Sequence, residues 1–455
     1  MRKAGLPRAP IARAVLLGFA AGAAILWLLG IVLPRAPWRL PPAASHPELL
    51  ALATPAFDVV AAAQNDLADA VSGPAVAAVQ HNNAGVAAAR ERDWARAAEQ
   101  LREALGLDPQ SEAIRRNLQQ VLLAWGVEQL RAGKRSAAEG LLAEASQLRR
   151  DADVDYWLGK CRLQQGNRLE AERIWQQALE QFPEHPYLLF GLGEAAEQRD
   201  DRVQALDYFL RARKAGLNVP GLDEKIERLG REVDAEWEYT ISRSARFDFR
   251  HPAFDRREVL DLVVASFEAA YDHLLATFGV GPTAPVRVVL YPSADFYAVT
   301  RSPDWAGGAY SGRIQLPVGG LVETDRDQLE RVARHELVHA LVSEWSRGQA
   351  PGWLQEGLAM WGERNRPDER RSWAETLVSQ AHGVSLERLP QSLATLEQAQ
   401  AEVAYALSYL AVLSLVERYG IHRVLSFVQA TGEQPWRNAF ASSFGSNFEE
   451  FAGDL

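Results

Sequence analysis

Cysteine is almost absent. The chain of 455 residues holds one, Cys161, which excludes an intramolecular disulfide and a cysteine-rich structural zinc module. Any metal must therefore be held by histidines and carboxylates. Lysine is scarce too. Five of the 49 basic residues are lysines, at 3, 134, 160, 214 and 225, a bias that with the abundant alanine fits a GC-rich bacterial genome. A basic excess is also missing: 49 Lys and Arg stand against 59 Asp and Glu, a net charge of −10. That argues against nucleic acid as a partner, because phosphate backbones are bound by basic surfaces. What is present is 47% hydrophobic and 24% charged, the balance of a folded protein. The length allows about three domains.

Residues 14–33 carry no charge. As a helix they span roughly 30 Å, the hydrocarbon thickness of a bilayer. Arg2, Lys3, Arg8 and Arg13 precede them and only Arg35 and Arg39 follow closely. The positive-inside rule then places the N-terminus in the cytoplasm and the rest outside it. The stretch is longer than the apolar region of a cleaved signal peptide, so it reads as an uncleaved anchor in a bacterial inner membrane. Residues 34–80 read as a linker: Pro34, Pro37, Pro41, Pro42, Pro47 and Pro55 make 34–56 extended, and 57–80 is Ala-rich, of helical composition, and broken at Gly73-Pro74.

The next stretch repeats. Glycines 85, 126, 159 and 193 each precede, by 12, 16 and 19 residues, a small, a large and a small side chain. These are Ala97, Leu101 and Ala104; Ala138, Leu142 and Ala145; Ala171, Trp175 and Ala178; Ala205, Phe209 and Ala212. Small residues at fixed offsets let paired helices approach, and the large one fills the gap. Pro109 and Pro183 end the first and third units. Residues 81–232 thus resemble tetratricopeptide repeats. The resemblance implies an α-solenoid, a right-handed superhelix of helix pairs whose concave face takes a protein partner. Cys161, in the first helix of the third unit, reads as a small buried side chain.

After about residue 235 strands appear. Arg246–Arg250 and Val286–Tyr291 read as strands, and Ala309–Val318 as a further strand with a turn at Ser311-Gly312. Pro317 near its end suits an edge. Asp255–Phe278 has helical periodicity. A second helix, from about Asp325 to Trp345 and capped by Thr324 or Asp325, carries His335-Glu336-Leu337-Val338-His339. Four-residue spacing sets both imidazoles on one face, able to reach one cation, with Glu336 beside them able to hold a water. A catalytic zinc needs a third protein ligand. Glu356 follows 17 residues later, after a turn at Pro351-Gly352, on a helix that would run back toward the histidines.

These residues, with the run Trp353-Leu354-Gln355-Glu356-Gly357-Leu358-Ala359, resemble the gluzincin metallopeptidases, in their small peptidase MA-like form, over 236–450. The resemblance implies a zincin-like α+β fold, Zn²⁺ held by His335, His339 and Glu356, and Glu336 as general base. It also implies an edge strand, assigned to Ala309–Leu316, that pairs with a peptide or protein substrate. For the oxyanion it implies a donor on the later helix, best matched by Tyr405, with Tyr409 second; His382 and His422 have no support from spacing. One position departs from the pattern. Some gluzincins place an acid four residues after the third ligand to orient a zinc-bound histidine; Met360 stands there, and Glu363 is read as lying at a poor helical offset. The last 60 residues read as helices over 396–419, 423–431 and 436–440. The expected protein is a membrane-anchored zinc peptidase whose repeats recruit substrate or partner. The alternative is a non-catalytic envelope scaffold with a vestigial zincin domain.

Overall fold

The computed structural model describes residues 74–253, 257–303, 306–318, 326–363, 367–381 and 384–455. The anchor at 14–33 and most of the linker lie outside them, as do His382, Thr324 and Asp325.

Eight helices pair in order: α1 (Pro74–Arg90) with α2 (Trp94–Leu107), α3 (Glu112–Arg131) with α4 (Arg135–Leu148), α5 (Ala152–Gln164) with α6 (Arg168–Gln181), and α7 (Pro186–Gln198) with α8 (Arg202–Lys214). The first begins at Pro74, inside the stretch read as linker, because a proline is suited to the first turn of a helix. Each offset in the repeat has its physical cause. A Cβ on Gly85, Gly126 or Gly193 would come within 2.6–2.8 Å of Leu101, Leu142 or Phe209, and one on Gly159 would fall inside the Trp175 ring. The long first spacing comes from α3, which has 20 residues where α5 and α7 have 13. Cys161 is fully buried, as expected of a small core residue.

Two glycines in this array predict opposite outcomes. The Trp175 indole is buried and donates from Nε1 to the Tyr156 carbonyl at 3.1 Å, so it cannot swing away from an added methyl. Gly159→Ala should destabilise the protein by about 1–3 kcal/mol. Gly140, mid-helix with open space around its Cβ position, should gain about 0.5–1 kcal/mol as alanine. Urea unfolding of the two variants measures both signs.

A ninth helix, α9 (Leu222–Glu236), closes the array and leads into the sheet. The sheet has β1 (Thr240–Arg243), β2 (Phe247–His251), β3 (Val286–Tyr291), β4 (Ala309–Tyr310) and β5 (Ile314–Pro317), in the order β1-β2-β3-β5-β4. The outer pairs are antiparallel, and β2–β3 and β3–β5 are parallel. The segment read as one strand from 309 to 318 is therefore a hairpin, bent by Gly312 at φ +82°. Only its first arm is an edge. Pro317 is tolerated because β4 reaches no further along β5 than Gln315, leaving no ladder partner on that side.

Alternation puts Phe247, Phe249, Val288, Leu290, Ile314 and Leu316 in one core with α10 (Arg257–Phe278) and α12 (Arg326–Ser346). The other face carries Val289 and Tyr291, covered by Ala235 of α9 and by Phe296 and Val299 of α11 (Ser293–Thr300). The short α11 and β1 lack a clear periodicity and were not anticipated. Behind α12 stand α13 (Gly352–Gly362), α14 (Pro367–Gln380), α15 (Gln398–Tyr419), α16 (Ile421–Thr431), α17 (Trp436–Phe444) and α18 (Phe448–Gly453). Among the described residues α15 alone is long and apolar enough to cross a membrane, but it packs on α13 and α14 as a core helix.

Candidate metal centre

Helix α12 holds His335 and His339 one turn apart, their ring centroids separated by 4.9 Å. Pro351, with ψ 151°, turns the chain so that α13 starts at Gly352 and runs back along α12. Its Glu356 presents Oε2 at 3.5 Å from the Nε2 of each histidine. Among the described residues these three form the one cluster of donors able to hold a metal, with all donor atoms within 4.8 Å of one another.

The arrangement fits a cation. Donors arranged tetrahedrally around zinc at about 2.0–2.1 Å stand roughly 3.4 Å apart, close to the observed 3.5 Å. That separation is long for a hydrogen bond, and Glu356 Oε2 is a buried oxygen without a hydrogen-bond partner, as is Glu336 Oε2. Buried carboxylate oxygens left unpaired are costly, and two nitrogens with one oxygen are a zinc donor set.

Charge is concentrated here. Burial opposes ionisation of Glu356, but the two histidines hold its carboxyl down at about 2. Burial would lower His335, yet its contacts with Glu356 and Glu363 hold it up at about 10. Burial raises the pKa of Glu336, the histidines pull it back, and Glu356 and Glu363 push it up. Three carboxylates thus surround two imidazoles.

Glu363 corrects the reading of the sequence. Its Oε1 lies 2.9 Å from His335 Nδ1, and its Oε2 takes a 2.6 Å bond from Arg370, which also donates to the Met360 carbonyl. This fixes the ring so that Nε2 faces Glu356. The helical offset that seemed poor is a good one: seven residues after Glu356 is two turns, about 20° from the same face. Met360 sits at the position where an acid was sought, packed with Ala374, Ala406 and Tyr409. Glu363→Ala should weaken zinc binding about 10- to 100-fold, read in a competition titration with a chelating dye.

The sheet supplies the other wall. The Tyr310 ring stacks on His339 with centroids 6.3 Å apart and planes 22° from parallel. A Cβ on Gly308 would lie 2.7 Å from Glu336 Oε1, so a larger residue just before β4 would press on the carboxylate. Neither residue had a signal in the sequence. Gly308 precedes a strand of two residues, and neither it nor Tyr310 has a periodicity that would mark contact with the donors.

Helix α15 supplies the third wall. A Cβ on Gly357 would collide with the Ser408 carbonyl, so the glycine beside Glu356 lets α15 approach. That brings Tyr405 near: burial first, then the charges of Glu356 and Glu336, raise its pKa well above the ordinary value. Tyr409 is raised by burial first, with Arg370 and Arg371 opposing and Glu417 and Asp368 adding to the rise, and it belongs to the core between α14 and α15. His422 lies at the start of α16 and is not part of the donor cluster.

With this geometry in place, likeness to known proteins can be weighed. Residues 268–452 match the model of the Peptidase MA superfamily. A tetratricopeptide repeat model matches 153–185, the third unit of the array. The chain therefore carries a Peptidase MA domain preceded by tetratricopeptide repeats. No curated protein matches it. Among solved structures, one described as the functional characterization of Pseudomonas aeruginosa pilF is 17% identical. That match covers 36% of this chain and 93% of the other at a TM-score of 0.25.

Proposed function

We propose that the chain is a membrane-anchored zinc metallopeptidase of the gluzincin type that hydrolyses peptide bonds of a protein substrate. The observation that carries this reading is the convergence of His335, His339 and Glu356 with Glu336 beside them. His335, His339 and Glu356 would hold Zn²⁺, which when bound supplies a Lewis acid for the peptide carbonyl and a water acidified toward neutrality. Glu336, deeply buried and pushed above the usual carboxylate range, takes a proton from the attacking water and delivers it to the leaving amine. Tyr405, neutral at all ordinary pH, donates its hydroxyl to the developing oxyanion. An extended peptide would add alongside β4, the last strand on that side of the sheet among the described residues.

The repeats recruit substrate or a protein partner, and residues 14–33 hold the chain in a bacterial inner membrane with both domains on the extracytoplasmic side. The charge asymmetry around 14–33 supports that orientation. Incubating the purified full-length chain with a mixture of unfolded proteins tests the reading. Cleavage should stop with a zinc chelator and return with added zinc; cleavage indifferent to the chelator, or none from zinc-loaded protein, would rule it out.

A further inference from the structure

One arginine in the hairpin is wholly buried and far from solvent compensation. Arg313, 0% exposed, lies between β4 and β5. It makes a two-pronged contact with Glu236, Nη1 to Oε2 at 2.8 Å and Nη2 to Oε1 at 2.5 Å, and a further one with Glu232 at 3.0 Å. Both glutamates belong to α9, the closing helix of the repeat array. Asp200, in the turn between α7 and α8, stands 3.5 Å from Arg313. Arg202 and Arg250 join the group, contacting Asp200 and Glu232, and Glu236 and Asp200, respectively. Tyr291 of β3 donates to Glu236, and Gln315 of β5 donates to the Tyr291 hydroxyl. Arg228 and Glu197 extend it, Arg228 reaching Glu232 at 2.9 Å and Arg202 reaching Glu197 at 3.5 Å, so arginines and carboxylates interleave between the array and the sheet.

Such a cluster is a poor way to gain stability. Desolvating charges costs several kcal/mol per ion, and apolar side chains of similar volume often do as well. What it supplies is direction, because a guanidinium fork fits a carboxylate in one plane only. The direction matters here because of what lies next to it. Three residues before Arg313, Tyr310 stacks on His339, and five before it, Gly308 abuts Glu336. Strand β4 has only two ladder residues, Ala309 and Tyr310, too few to fix its own position.

We propose that Arg313 is a positioning residue for the peptide-binding edge: anchored in the last helix of the repeat array, it sets the hairpin that carries Gly308 and Tyr310 over the metal centre. The repeat array is then a structural part of the peptidase site and not only a tether for substrate. The role in catalysis rests on the function proposed above; the mechanical coupling does not.

The test uses the full-length chain with Arg313→Gln and Arg313→Lys, the latter keeping the charge but losing the fork. Amide hydrogen exchange is followed over 309–317 and, separately, over 326–346, with zinc content measured in parallel. The expected result is exchange at least about tenfold faster in the hairpin, with 326–346 and zinc content unchanged. With peptide substrate, KM should rise more than kcat falls, and the Lys variant should recover part of the loss. If Arg313→Gln does not fold, Arg313→Lys is judged by the same local exchange. Unchanged hairpin exchange, or acceleration spread evenly over both segments, would overturn the proposal. Because exchange is read without turnover, a chain that proves inactive rejects the peptidase reading and leaves the coupling to be decided on its own result.

Discussion

Glu336→Gln should keep its zinc and lose about 10²–10⁴-fold in peptide hydrolysis, the range over which a positioned acid–base group acts. The substitution is nearly isosteric, and Glu336 is not among the three donors. Its carboxylate is buried, faces Gly308 and has one oxygen without a hydrogen-bond partner. A glutamine in that place still fills the space but cannot accept and return a proton. Parallel measurement of zinc content and cleavage rate separates this loss from loss of the metal. A variant that cleaves within a few-fold of the parent would remove Glu336 from the mechanism.

His339→Ala is the second large effect, and it acts on a different link. It deletes one of three donors, where loss of an outer partner such as Glu363 alone costs about 10- to 100-fold in affinity. Loss of the donor should exceed that and abolish zinc loading at micromolar metal. Stability reports the same event. A ligand that binds only the folded state at 100 times its Kd adds about 2.7 kcal/mol, so zinc should raise the unfolding midpoint of the parent and leave that of His339→Ala unmoved. An equal rise in both would place the metal elsewhere.

The parts of the site legible in the sequence are those on long helices. Periodicity fixes which face of α12 carries His335 and His339, and the short turn at Pro351-Gly352 brings α13 back along it, so the sequence itself sets Glu356 near the two histidines. The repeats were legible for the same reason: the glycine and the large residue 16 positions later are two sides of one contact, as Gly159 and Trp175 show. What escaped depends on contacts between distant segments. Glu363 meets His335 only because α13 ends where it does. Tyr310 and Gly308 gain their meaning from the sheet edge lying over α12. Arg313 carries no mark in the sequence, and its burial comes from α9 covering the sheet. The segment 309–318 reads as one strand with a turn, and not as a hairpin, because Ser311-Gly312 interrupts it without changing its alternation.

In the function proposed above, one zinc ion held by His335, His339 and Glu356 makes this chain a peptidase. The direct test is to titrate zinc into the metal-stripped full-length protein and follow peptide cleavage against zinc bound per chain. The account predicts cleavage that rises in proportion to bound zinc up to one ion per chain, and that is lost in Glu336→Gln at full occupancy. A chain that takes up no zinc, or one whose cleavage does not follow the zinc it holds, would contradict it.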